Sequence, residues 1–521
     1  MDFLIHHMLR TSAARLPDKE ALIHGSQRLT YSQVERAVNA LAYGLNEAGI
    51  ERGDRVGILL EPSVPQALSI FAASKANAAF VPMNHLLFPE QVAHIINDCR
   101  MKALITTGAK LATLLPMLKQ VPSLSFVVLV GNEDSVEITL PVYDFEALTS
   151  AETPPKADLC IEKDLAAIIY TSGSTGKPKG VMLTHGQIMA GATSVSTYLE
   201  ITASERILAV LPFSFDAGMN QIMTAFQRGG TLVITTFSFA REIVQVLAEE
   251  RITALAGVPT LWALLAQPQS TLHKTPLPHL RYITNTGGAM PQAVLAVLRK
   301  TLPTTKIFLM YGFTEAFRAT YLPPEELDRR PTSMGKAIPG SEIMVINEHG
   351  QFCKPGEVGE LVQRGPTVSL GYWEKPELTA RMFRPHPFTA EHRDGERVCY
   401  SGDLVKTDED GFLYFVGRRD TMIKSSGYRI SPTEVEEVLF QSGRIRGAAV
   451  IGIPDELLGQ HIKAFIVPKE TQATDPEELL AFCGERLPRY MVPKAVECLD
   501  ELPKTPSGKV DYPALRKREG V

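Results

Sequence analysis

The 521-residue chain is poor in the features that mark several protein classes. It has six cysteines (Cys99, Cys160, Cys353, Cys399, Cys483 and Cys498), scattered with no Cys-x-x-Cys pair. Neither a zinc site nor a disulfide framework is indicated, and a reducing cytoplasm is the expected compartment. No run of about 18 apolar residues occurs, so no membrane-spanning helix is expected. The N-terminus, MDFLIHHMLRTSAARLP, places an acidic residue at position 2 and two histidines among its apolar residues, which makes a poor signal peptide. Neither sign of charge dominates. With 53 basic against 58 acidic residues the formal net charge is −5, which argues against bulk binding to nucleic acid or anionic membrane. Internal repeats and long low-complexity tracts are also missing.

What remains is ordinary globular material, 45% hydrophobic and 21% charged. The chain is too long for one core, so two or more domains are expected. Up to about residue 417, strand-like apolar runs alternate with helical ones. RVGILL (55–60), AFVPMN (79–84), ALITT (103–107), FVVLVG (126–131), TLVITT (231–236) and KIFLMYG (306–312) read as buried strands. In 31–48, Val34, Val38, Leu41, Leu45 and Ala48 recur at helical spacing, with Thr30 and Gln33 as a capping box and Gly49 as the stop. Such alternation predicts an α/β fold: a large layered N-terminal domain, residues 1–417, with parallel-rich sheets.

The last hundred residues read differently. In GRRDTMIKSSGYRISPTEVEEVL (417–439), Ser431, Pro432 and Glu434 fit N-cap, first helical position and capping-box partner. Strands at 448–454 and 463–468 and a helix over 475–486 follow. This predicts a small, mobile α+β C-terminal domain, residues 418–521, joined at about Gly417–Asp420.

YTSGSTGKPKG (170–180) packs glycines, hydroxyls and two lysines into one loop. It is not a Walker loop, because Pro178 follows Gly176-Lys177 and forbids a helix there. DLAAIIY before it and GVMLTH after it read as strands, so the loop joins two strands. Phosphate would then be gripped by backbone N–H groups turned inward at glycines, by hydroxyls and by Lys177 or Lys179. A flexible surface loop is the alternative on these residues alone.

YTSGSTGKPKGV resembles the signature of the AMP-forming adenylating enzymes: acyl- and aryl-CoA ligases, nonribosomal amino-acid adenylation domains and beetle luciferases. FVPMN (80–84), NTGGAMP (285–291), YGFTE (311–315), GEVGELVQRG (356–365), YSGDL (400–404), GRRDTMIKSSGYRISPTEVE (417–436) and LPKTPSGKVDY (502–512) are similar to the family's other motifs, in the family's order. The resemblance implies activation of a small carboxylic acid by ATP and Mg²⁺ to an acyl-adenylate, with loss of pyrophosphate. Transfer to the thiol of CoA, or of a phosphopantetheine carrier protein, would follow.

The resemblance also implies roles. Thr171, Ser172, Gly173, Ser174, Thr175, Gly176 and Lys177 would hold the β- and γ-phosphates. Tyr311, Gly312, Gly287, Gly288 and Ala289 would form the nucleotide wall. Thr314 would contact the α-phosphate and Glu315 would ligate Mg²⁺. Asp403 would accept from the ribose hydroxyls, with Arg418 on ribose or phosphate. Lys509 would bridge carboxylate and α-phosphate. Asp420 matches the hinge, Gly427 the thiol tunnel and Arg429 a phosphate contact there.

One stretch departs from the pattern. In LPFSFDAGMNQ (211–221), Phe215 stands where many acyl-CoA ligases and luciferases have a histidine, which disfavours a luciferase-like oxidation. Asp216 follows, as in amino-acid adenylation domains, where the aspartate pairs with the substrate's ammonium. A buried carboxylate needs a partner, either a substrate amine or a protein cation. The IKSSGYRISPTEVE stretch is closer to the acyl-CoA ligase form, and no carrier domain follows before Val521. The expected activity is therefore a stand-alone acyl-CoA ligase, with a stand-alone amino-acid adenylating enzyme as the alternative. A catalytically dead binding protein is disfavoured because Glu315, Asp403 and Lys509 are all present.

Overall fold

The computed structural model describes residues 2–131, 138–153, 157–171, 178–387, 396–419, 421–425, 428–455, 459–469, 474–505 and 508–521, with backbone alone at 424, 428, 429 and 459. Among these residues the strands form four sheets. An eight-stranded sheet holds a parallel core that includes Arg55–Leu59, Ala79–Pro82, Ala103–Thr107 and Phe126–Val130. A nine-stranded sheet has a parallel core that includes Thr231–Ile234 and Lys306–Tyr311. All six strands read from the sequence are therefore present, four in one sheet and two in the other.

Helices fill the space between the two large sheets. Val64–Lys75 is apolar almost all round and nearly every residue of it is buried, as expected of a helix with protein on every side. Its Phe71 meets Phe226 of helix Asp216–Arg228 with ring centroids 5.0 Å apart. The helix expected at 31–48 spans Tyr31–Glu47. Both halves of its Thr30–Gln33 capping box form, and Gly49, with φ +107°, follows its end.

A third sheet, of antiparallel strands, ends with Arg397–Thr407 and Leu413–Arg418. The fourth begins at Ile423–Ser425 and carries the two strands expected in the C-terminal part, observed as Ile445–Asp455 and Gly459–Pro468. The chain is thus a mixed α/β protein with a large N-terminal and a small C-terminal domain. The helix expected from residue 475 runs Pro476–Arg486 behind an Asp475 N-cap.

The capping box expected at Ser431 does not form. The helix does start at Pro432, but Ser431 makes no side-chain cap. Its hydroxyl is buried without a partner and lies 3.5 Å from where a Cβ on Gly417 would sit. Packing against the end of the preceding sheet has displaced the local hydrogen bond.

The same helix presents Glu436 to the interior, where Oε1 accepts from Tyr512 and from the Val450 amide, each at 2.8 Å. Burial lifts its carboxyl from the ordinary 4.5 to about 7. Between those values the folded state holds a proton that the unfolded chain has lost. Stability conferred by that proton is complete below about pH 4.5 and is lost as pH rises to about 7. Wild type should lose on the order of 3 kcal/mol across that interval relative to Glu436→Gln. Urea unfolding of both proteins between pH 5 and pH 8 checks this; parallel profiles would contradict it.

Candidate active site

The residues that flank the glycine-rich stretch form an antiparallel strand pair. Leu165–Thr171 pairs with Lys179–Thr184, and Thr171 lies opposite Lys179. Strands on both sides of the stretch fit the expectation that Pro178 allows no helix directly after it. Ser172, Gly173, Ser174, Thr175, Gly176 and Lys177 lie outside the described residues, as do Asp420, Gly427 and the side chain of Arg429.

The C-terminal end of strand Lys306–Tyr311 carries the next group. Tyr311 donates its hydroxyl hydrogen bond to Asp403 Oδ2, and burial, followed by that carboxylate's charge, pushes the phenol well above its usual range. Asp403 is 6% exposed and sits across the strand pair from Arg418, whose Nε is 3.6 Å from Oδ1. Glu315 is held from the other side by Tyr372, whose hydroxyl donates to Oε1 at 2.6 Å. Thr314, between these positions, is half-buried.

Strand Tyr282–Asn285 delivers Gly287, Gly288 and Ala289 at the same edge of the sheet. Gly287 has φ +79°, and the Asn285 side-chain Nδ2 donates to Gly288 O at 2.8 Å, which pins the turn. A Cβ on Gly287 would lie 3.3 Å from Lys509 Cε and 3.9 Å from Nζ. Lys509 belongs to the C-terminal domain, where its backbone oxygen accepts from the Thr505 amide at 2.7 Å and the preceding Gly508 has φ +78°. Residues more than two hundred positions apart therefore meet over one backbone wall.

Asp216 has a protein partner. Arg318 Nη1 is 3.3 Å from its Oδ2 and Nη2 donates to its backbone oxygen at 3.1 Å, while Oδ1 accepts from the Ala217 amide at 2.8 Å. The carboxylate also opens helix Asp216–Arg228, where the helix dipole favours a negative charge. Phe215 is the N-cap residue and makes no side-chain cap.

Arg318 was not legible as a site residue. Nothing near it in the sequence announces it, and only the need of Asp216 for a cation hinted at its existence. Its position depends on Phe317, a fully buried residue at φ +58° that reverses the chain so that the Arg318 amide donates to Ala316 O at 2.6 Å. Tyr372 and Glu360 were missed for the same reason. Glu360 accepts from the Gly402 amide at 3.0 Å and from Arg419 at 3.1 Å, tying the Asp403 turn to the end of strand Leu413–Arg418.

One further cluster has the residue types of a metal site. His6 and His7 both contact Asp158, at 2.7 and 2.9 Å. His7 Nδ1 accepts the Phe3 amide, so its proton is on Nε2, the atom that faces the carboxylate, and Arg10 also pairs with Asp158. The group is a hydrogen-bonded clasp on the N-terminal helix.

Comparison with known proteins agrees with this geometry. Residues 9–373 match the family model described as AMP-binding enzyme, and residues 434–509 match the AMP-binding enzyme C-terminal domain. The chain is 34% identical over 517 residues to a feruloyl-CoA synthase of Amycolatopsis sp, covering 97% of this chain and 96% of that protein. It is 32% identical over 514 residues to a linear gramicidin synthase of Brevibacillus parabrevis, covering 98% of this chain but only 10% of that much longer protein. Among solved structures, the anthranilate CoA ligase AuaEII in complex with anthranoyl-AMP superposes with a TM-score of 0.90 at 26% identity, covering 99% of this chain and 97% of that one.

The Phe317 turn makes a structural prediction. A Cβ on Gly191 would collide with the Phe317 ring at Cδ1, so Gly191→Ala should overpack this contact and cost about 1–3 kcal/mol. Chemical denaturation measures it, and an unchanged midpoint would contradict the placement of Phe317.

Proposed function

Because the chain belongs to the AMP-binding enzyme family, we propose that it is an AMP-forming acid–thiol ligase that converts a small carboxylic acid to its CoA thioester through an acyl-adenylate. The observation that carries this reading is the approach of Lys509, from the C-terminal domain, to the Gly287 wall of the N-terminal domain. A single cation brought across a domain boundary onto a nucleotide-sized platform suits a reaction between two anions.

In the first step a carboxylate oxygen of the acid attacks the α-phosphorus of ATP. The bond to the bridging oxygen breaks and pyrophosphate leaves. The carboxylate is already a nucleophile, so no general base is needed. The requirements are in-line placement and relief of charge repulsion. Lys509 supplies a positive charge where the two reactants meet, and the loop over 171–180 holds the outgoing phosphates with its amides, hydroxyls, Lys177 and Lys179. Thr314 donates to the α-phosphate.

The residues present fit the nucleotide. The Asp403 carboxylate, oriented by Tyr311 and with Arg418 beside it, would accept from the ribose hydroxyls, and the Gly287–Gly288 backbone would form the wall beside adenine. They also fit a hard divalent cation, since Glu315 offers an oxygen ligand oriented by Tyr372. Mg²⁺ held there would neutralise phosphate charge during pyrophosphate departure. In the second step a thiol sulfur attacks the acyl carbon, and the carbon–oxygen bond to AMP breaks. The division at 418, with Asp420 as hinge, would let the C-terminal domain swing Lys509 out and bring Gly427 and Arg429 to the thiol tunnel.

CoA is the preferred acceptor, because the chain is similar over nearly its full length to a CoA synthase. The alternative, an amino-acid substrate loaded on a carrier protein, draws on the gramicidin synthase similarity. It is weakened by Asp216, whose charge is already met by Arg318. Pyrophosphate exchange with an amino acid and its des-amino analogue should show no requirement for the amine. A strict requirement would overturn the CoA reading.

Lys509→Ala should slow adenylation by about 100- to 1,000-fold while leaving thioester formation from supplied acyl-adenylate within a few fold. Equal loss in both assays would contradict the assigned role.

A further inference from the structure

We propose that Asp98 is a positioning residue for the adenylation step: it locks the strand leading into the glycine-rich stretch to the segment that aims Glu315. This deepens the adenylation reading above and rests on it. Asp98 is the last residue of helix Pro89–Asp98. A carboxylate there sits at the negative end of the helix dipole, and the last turn carries no basic residue to offset it. The helix does not need it as a cap either, because Arg55 donates to the Cys99 and Arg100 backbone oxygens, each at 2.6 Å. A charge set against local preference, with its side chain only 12% exposed, is explained by what it contacts.

Each oxygen of Asp98 is engaged. Oδ2 accepts from the Tyr170 hydroxyl at 2.7 Å, Oδ1 from Lys375 Nζ at 2.8 Å, and the backbone oxygen from Trp373 Nε1 at 3.0 Å. Tyr170 is the next-to-last residue of strand Leu165–Thr171 and lies opposite Gly180 in the partner strand. The Gly180 oxygen in turn accepts from the Trp373 amide at 2.8 Å. Asp98, Tyr170, Gly180 and Trp373 therefore close a circuit. Burial first, and then neighbouring Cys99 and Asp98, push the Tyr170 phenol above its ordinary range, so it stays a donor. One turn earlier on the same helix face, His94 Nε2 lies 3.4 Å from the Pro178 oxygen. The helix thus touches residues on both sides of the stretch proposed to hold the β- and γ-phosphates.

The other side of the circuit supports Glu315. Tyr372 pairs with Val181, next to Gly180, and its hydroxyl donates to Glu315 Oε1 at 2.6 Å. The Ser369 amide donates to the Glu315 backbone oxygen at 2.9 Å. Trp373 follows Tyr372 directly and Lys375 comes two residues later, so Asp98 holds the segment just past the residue that orients the proposed metal ligand. Partners that orient a ligand from behind tune metal affinity without touching the metal. Ribose and adenine fall to Asp403, Arg418 and the Gly287 wall, none of which is part of the circuit. Loss of Asp98 therefore has a selective signature: it weakens a metal–triphosphate and spares AMP.

Calorimetry on the full-length protein tests this with two probes, AMP alone and Mg²⁺ with α,β-methylene-ATP, which cannot be cleaved at the α-phosphorus. Asp98→Ala should weaken the triphosphate probe by about tenfold and leave AMP within about twofold. Tyr170→Phe removes a single contact and should show the same selectivity, with a loss of about fivefold. Asp98→Asn keeps an acceptor for Tyr170 and should fall between wild type and Asp98→Ala. If Asp98→Ala does not fold, Tyr170→Phe decides by the same comparison. An equal or greater loss for AMP would mean a general loosening of the domain and overturns the inference, as does unchanged binding of both probes. Failure of wild type to bind either probe overturns the adenylation reading and this inference together.

Discussion

Repulsion between a carboxylate and a triphosphate is the constraint on which the rest of this structure turns. Both reactants are anions, and no acid–base group is required once they are in contact. The protein's task is therefore to collect donors and cations around one point and keep water and stray negative charge out. Three carboxylates near that point have partners: Asp403 has Tyr311 and Arg418, Glu315 has Tyr372, and Asp216 has Arg318. The negative groups the site needs for ribose and metal are thereby held in fixed orientations. Lys509 comes from a separate domain, which allows the strongest local charge to be withdrawn when the second reactant, a thiol, must enter.

The parallel sheets explain why these groups converge. Strands Tyr282–Asn285 and Lys306–Tyr311 are neighbours running the same way, so the loops that follow them leave from the same edge. One loop carries Gly287 and the other Thr314 and Glu315. Ligand sites outside the carboxyl ends of parallel strands are a general consequence of this geometry. Asp403 and Arg418 arrive differently, as cross-strand partners in an antiparallel pair, and Tyr311 joins the two systems through its hydroxyl.

Local signals carried much of this into the sequence. The Thr30–Gln33 capping box and the six buried strands depend on residues within a few positions of one another, and both appear as read. Signals that depended on distant packing did not carry. Ser431 has the sequence of a helix cap, yet its hydroxyl faces Gly417, because the neighbouring domain's sheet end occupies the space. Arg318 stands 102 positions from Asp216, and the φ +58° at Phe317 that aims it is a backbone state no propensity would assign to phenylalanine. The acyl-side reading of Phe215 and Asp216 was incomplete for that reason: the charge at Asp216 is legible, and the cation that meets it is not.

The most direct test of the account follows the oxygen atoms. The acid is supplied with oxygen-18 in its carboxylate, together with ATP, Mg²⁺ and CoA, and the nucleotide and phosphate products are analysed by mass spectrometry. Attack on the α-phosphorus leaves one carboxylate oxygen on that phosphorus after the thioester forms, so the label should appear in AMP, one atom per turnover, with unlabelled pyrophosphate. Label in orthophosphate beside ADP would mean attack at the terminal phosphorus, and would contradict the account.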